Sequence, residues 1–109
     1  MTKLIIQIPC YNEEDTLITT LNDLPAKING IDEIEVLVIN DGSTDKSAEI
    51  AAKWGASVLD IKPNKGLANA FRAGISEALR RQADIIVNTD ADNQYCASDI
   101  EKLVTPILN

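Results

Sequence analysis

Asp90-Ala91-Asp92 places two carboxylates one residue apart, directly after the apolar run Ile85-Ile86-Val87 and with no Lys or Arg nearby. Two carboxylates so placed at a strand end repel each other unless a cation lies between or beside them. A hard divalent ion such as Mg²⁺ or Mn²⁺ takes oxygen ligands and keeps positions open for water and phosphate. Gln94 can add a neutral amide oxygen to Asp90 and Asp92. Such an ion would let an acidic protein hold an anionic diphosphate and would stabilise the charge that develops as a diphosphate departs. Histidine is absent from the chain. That removes every Ser-His and Cys-His nucleophile arrangement and the usual zinc ligand sets.

Two further segments carry unusual polar residues. In Asn40-Asp41-Gly42-Ser43-Thr44-Asp45, the Asp41 carboxylate is an acceptor suited to the N–H edge of a uracil or guanine base. In Pro9-Cys10-Tyr11-Asn12-Glu13-Glu14, Tyr11 offers a flat face for stacking on such a base, and Glu13 an acceptor for a ribose hydroxyl. A plainer reading stands beside this one: each segment could be a strand-to-helix turn with an Asx or Ser N-cap. Arg72 falls on a helix face, off its apolar stripe; it could approach the base or the phosphates, but a solvated face is the plainer reading.

The elements that must position these residues alternate between two periods. Leu4, Ile5, Ile6 and Ile8 form a near-continuous apolar run, as does Val36-Leu37-Val38-Ile39; both fit strands buried on two faces. Val58, Leu59 and Ile61 give a third strand and Ile85-Ile86-Val87 a fourth. Between them, Leu17, Leu21 and Leu24 repeat at helical spacing before Pro25, and the Ala-rich stretch from Thr44 to Trp54 stops at Gly55. Leu67, Phe71, Ile75 and Leu79 lie four apart, predicting a third helix with these residues toward the core. Gly74 inside it predicts close packing of helix on sheet. Ser98 and Glu101 form a capping box ahead of Ile100, Leu103, Val104 and Ile107, with Pro106 bending or ending that helix.

Strands alternating with helices over short loops imply right-handed crossovers and an α/β fold with a parallel sheet. The order expected is 3-2-1-4, with ligands in the crevice at the carboxyl ends of strands one, two and four. All three polar segments fall there. At 109 residues the chain is one domain or less. Its net charge of -7 would repel a phosphate backbone, which argues against nucleic-acid partners. No apolar run approaches the roughly 20 residues that span a bilayer, and the opening Lys3 to Pro9 is too short for a signal sequence. Cys10 and Cys96 fit no metal spacing or disulfide framework and read as free thiols in a reducing cytoplasm.

The three segments, taken together and in this order, resemble the signatures of family-2 glycosyltransferases, enzymes of the Rossmann-like GT-A fold. Within them the chain most resembles the dolichol-phosphate mannosyltransferase-like group, which moves a sugar from a nucleotide donor to a polyprenyl phosphate. Asn64-Lys65-Gly66-Leu67 with Ala70, Arg72 and Gly74 resembles that family's central segment. The resemblance covers essentially residues 1–109. It implies that Pro9, Tyr11, Glu13, Ile39 and Asp41 line the base and ribose pocket. It implies equally that Asp90, Ala91, Asp92 and Gln94 serve the diphosphate and an Mg²⁺ or Mn²⁺ ion, with Asp90, Asp92 and Gln94 as metal ligands.

The resemblance further implies a UDP- or GDP-sugar donor, transfer with inversion, and an acceptor site and general base beyond Asn109. The expected location is the cytoplasm, with the parent enzyme at the cytoplasmic membrane face. A second reading is a non-catalytic nucleotide-binding or assembly fragment. In either case the fourth strand would offer an open edge for self-association.

Overall fold

Residues 2–61 and 66–89 are described by a computed structural model. Their apolar runs became the sheet. Strand β1 (Lys3–Cys10) lies between β2 (Glu33–Asp41) and β4 (Ile85–Asn88), and β3 (Ser57–Ile61) pairs with the far side of β2. All pairings are parallel and the order is β3-β2-β1-β4, as expected. Helices α1 (Glu14–Asn22), α2 (Ser47–Trp54) and α3 (Leu67–Arg80) connect the strands.

Alternation along β1 splits the core in two. Leu4, Ile6, Ile8 and Cys10 meet Leu17 and Leu21 of α1 and Ala51 of α2, while Ile5, Leu37 and Ile39 meet Ala70 and Ala78 of α3. The helix changes face because the chain reverses its direction across the sheet between β3 and β4, and right-handed crossovers then require the opposite side. Each fully buried Leu or Ile contributes roughly 1.5–3 kcal/mol, so β1, with four at 0% exposure, anchors both layers.

The face of α3 differs from the one expected. Phe71 and Leu79 are 41% and 62% exposed, and Ala70, Gly74 and Ala78 face the sheet instead. The cause is the close approach at Gly74. A Cβ added there would collide with Gln7 Oε1 and lie 2.8 Å from Ile39 Cδ1. A helix that near a sheet accepts only small residues on its contact line, so the bulky stripe one position on turns to the flank. On the opposite flank, Arg81 just past α3 pairs with Glu35 of β2 at 2.7 Å and with Glu77 at 2.7 Å.

Two boundaries also shift: α1 ends at Asn22, before Leu24 and Pro25, and α2 begins at Ser47 rather than Thr44. Gly55 closes α2 in a left-handed conformation, φ 110°. The capping box at Ser98, and Pro106, lie outside the described residues.

Candidate functional site

At the carboxyl ends of β1 and β2 the two loops are joined by their own side chains. After Cys10 the chain turns at Tyr11 and Asn12, and Asn12 takes a left-handed φ of 52°, a conformation Asn tolerates better than most residues. Its Oδ1 accepts from the backbone N–H groups of Thr44 (2.8 Å) and Asp45 (3.3 Å), and its own N–H donates to Ser43 Oγ (3.0 Å).

Asp45 completes the join. Its Oδ1 accepts from the backbone N–H of Ser47 (2.9 Å) and from Ser47 Oγ (2.6 Å), while Oδ2 accepts from the N–H of Glu14 (3.1 Å). One carboxylate therefore caps the first residue of both α1 and α2, where helix dipoles favour negative charge. Burial pushes the Asp45 pKa up, but the hydrogen bonds from Ser47 and Glu14 outweigh it and leave the pKa below the usual carboxylate range. Ser47 Oγ in turn accepts from the N–H of Glu13 at 3.0 Å.

The plain reading of a local Asx cap holds for α2, which Asp45 caps from its own loop, whereas α1 is capped across the crevice from the second loop. The residues at the helix N-cap positions, Glu13, Lys46 and Gly66, make no side-chain cap bond themselves.

This scaffold sets the residues expected to meet a ligand. Tyr11 stands 47% exposed at the lip of the crevice. Glu13 is half-buried, and Thr16 Oγ1 donates to its Oε2 at 3.3 Å. Pro9 and Ile39 are register partners across β1 and β2, both buried, and Ile39 lies beneath α3. Asp41, 4% exposed, ends β2 on the α3 side, where its Oδ2 accepts from the N–H of Gly66 at 3.0 Å. That bond ties the start of α3 to the crevice floor, and Gly66 meets it at φ 92°, a region that favours glycine. Asn40, on the other face of β2, accepts from Ser43 N–H (3.0 Å) and donates to Asp60 of β3 (2.9 Å). Arg72 is exposed on α3, as expected.

The fourth strand brings its end to the same edge. Gln7 pairs in register with Asn88, and Thr89 N–H donates to Gln7 O at 3.0 Å. Asp90, Ala91, Asp92 and Gln94 follow and lie outside the described residues. Among the described residues no group of three His, Cys, Asp or Glu could hold a metal ion. The nearby carboxylates of Asp41, Asp45 and Asp60 already accept hydrogen bonds. The carboxylate and amide oxygens of Asp90, Asp92 and Gln94, the donors expected for a divalent ion, have the hardness it needs. Burial pushes the Cys10 thiol up against a lowering hydrogen bond from Ser47; it stays a neutral free thiol. Cys96 lies outside the described residues.

Sequence reasoning did not single out Asn12, Ser43, Asp45, Ser47 or Gln7. A short run rich in Asn, Ser, Thr and Asp after each strand was the available signal. Nothing in a single segment shows that its partner is the other loop.

The comparisons with known proteins agree with this architecture. The family model Glycosyl transferase family 2 matches residues 5–109. An uncharacterised protein of Methanocaldococcus jannaschii is 40% identical over 106 residues, 97% of this chain and 42% of its own length. A UDP-N-acetylglucosamine--dolichyl-phosphate N-acetylglucosaminyltransferase of Methanococcus voltae is 32% identical, over 94% of this chain and 46% of its length. The chain thus spans less than half the length of these relatives. Among solved structures, glucosyl-3-phosphoglycerate synthase of Mycobacterium tuberculosis with Mn²⁺, UDP and glucosyl-3-phosphoglycerate superposes with a TM-score of 0.81 at 24% identity, covering 99% of this chain and 40% of that one. The same enzyme was solved with Mg²⁺ and UDP, TM-score 0.77 and 25% identity, with 99% and 40% covered. The fold is that of the GT-A glycosyltransferases, in which such neighbours hold a divalent metal beside the nucleotide. The match along nearly the whole sequence places the chain in glycosyl transferase family 2.

Proposed function

We infer that this chain is the donor-binding part of a metal-dependent glycosyltransferase that takes a UDP- or GDP-sugar. The observation that carries this reading is the joined pair of loops. They set Tyr11, Glu13 and Asp41 at the same sheet edge as the end of β4, from which Asp90-Ala91-Asp92 continues. Tyr11 stacks on the base, Asp41 accepts from its N–H edge, and Glu13 takes a ribose hydroxyl, with Pro9 and Ile39 forming the floor. Asp90, Asp92 and Gln94 would hold Mg²⁺ or Mn²⁺, and Ala91 would serve the diphosphate with them. The bound ion supplies charge compensation for that diphosphate.

The fold neighbours that hold UDP with Mn²⁺ or Mg²⁺ support the donor class. The archaeal relative acting on dolichyl-phosphate supports a polyprenyl phosphate acceptor, met by the parent enzyme at the cytoplasmic membrane face. The four-residue strand β4, at the edge of the sheet among the described residues, is the place where copies would associate.

Calorimetric titration with UDP and with GDP, each in Mn²⁺ and in chelator, tests the reading. Metal-dependent binding of one nucleotide is expected and names the base. Equal binding in chelator would overturn the metal assignment.

A further inference from the structure

Gln7 breaks the apolar run of β1, and its side chain is fully buried on the α3 face. Its Nε2 donates to Asn88 Oδ1 at 3.2 Å, and its main-chain oxygen accepts from Thr89 N–H at 3.0 Å. One residue therefore holds the two that immediately precede Asp90. The arrangement is costly. Gln7 Oε1 has no hydrogen-bond donor among the described residues, and a buried acceptor left so gives up its hydration without recompense. The same oxygen also occupies the space a Cβ at position 74 would need. An aliphatic residue at position 7 would avoid the first cost and continue the pattern of Ile5 and Ile6.

What the amide achieves lies at the end of β4. That strand has four residues, is paired only with β1 among the described residues, and ends at Asn88, whose side chain is exposed. A short edge strand frays from its end unless something holds it. The geometry points to Gln7 as a positioning residue for the acidic segment that begins at Asp90. Its amide and carbonyl clamp Asn88 and Thr89 to the central strand, so that the chain is held at the residue before Asp90. The proposal rests on the donor-site reading for the metal, but the clamp itself is testable without any ligand.

The experiment compares the full chain with Gln7→Leu, Asn88→Ala and the double variant. Amide hydrogen exchange at Thr89 is followed by NMR without ligand, and UDP and GDP are titrated in Mn²⁺ and in chelator. Gln7→Leu should keep or raise the melting temperature and speed Thr89 exchange on the order of tenfold. It should also weaken nucleotide binding in Mn²⁺ on the order of tenfold while changing binding in chelator by less than about twofold. Asn88→Ala, whose side chain is exposed, should do the same and keeps the test valid if Gln7→Leu fails to fold; the double variant should add nothing. Unchanged Thr89 exchange in both single variants overturns the clamp. Equal losses in Mn²⁺ and chelator overturn its role toward the acidic segment. A parent chain that binds neither nucleotide more tightly in Mn²⁺ overturns the donor-site reading and that role with it. Exchange at Thr89 then decides the clamp alone.

Discussion

Asp41 has two demands on one carboxylate: it accepts from the N–H of Gly66 through Oδ2 and, in the proposed site, from a base. Asn at this position keeps an acceptor for Gly66 but lacks the charge. Asp41→Asn should therefore leave the melting temperature nearly unchanged and weaken nucleotide binding about tenfold in Mn²⁺ and chelator alike; a loss confined to Mn²⁺ would contradict the base-reading role. Asp92→Asn should do the reverse, abolishing the Mn²⁺-dependent part of binding and sparing the rest. Asp45 needs no ligand to show its value. Asp45→Ala strips a charged cap from α1 and α2 at once, and should cost about 2 kcal/mol in denaturant unfolding. An effect under about 0.5 kcal/mol would mean that water replaces the carboxylate at both helix ends.

At the level of elements, Gly74→Ala sets two magnitudes against each other. Alanine gains up to about 1 kcal/mol of helix propensity, but its methyl would collide with Gln7 Oε1 and crowd Ile39. Overpacking of that kind costs roughly 1–3 kcal/mol, so the variant should melt lower than the parent. A higher melting temperature would show that α3 can slide away from β1 without loss. The strands were legible because β1 and β2 are buried on both faces, and unbroken runs such as Leu4-Ile5-Ile6 and Val36-Leu37-Val38-Ile39 have few other uses. Their order followed from connection rules. The contact face of α3 was not legible: periodicity favours Phe71, Ile75 and Leu79 by size, whereas the packing distance set by Gly74 selects Ala70 and Ala78. The crevice was located from topology, but its internal bonding was not, because Asn12 meets Thr44 and Asp45 reaches Glu14 in another loop.

Over the whole molecule, acid should act through a few depressed carboxyls. Hydrogen bonds from Arg80 and Arg81 hold Glu77 down to about 2 from an ordinary 4.5. Burial pushes Glu35 up, but Lys3, Ser57 and Arg81 more than reverse it, leaving its pKa lowered, as is that of Asp45. Each of these groups titrates lower folded than unfolded, so the unfolded chain binds more protons in acid. The contribution of Glu77 is complete above about pH 4.5 and is lost as pH falls toward 2, and those of Glu35 and Asp45 are lost in the same direction. Melting temperature should decline across that window, and Glu77→Gln should flatten the decline; an unchanged slope would place the acid sensitivity elsewhere. The shared bonds of the two crevice loops also bear on how such a protein can be altered. Residues 12–14 and 43–47 complete each other's backbone hydrogen bonding, so neither is an independent cassette. A chimera that imports one loop from a relative to change the donor base must import the other with it, or the exchange leaves stranded polar groups where the graft was meant to bind.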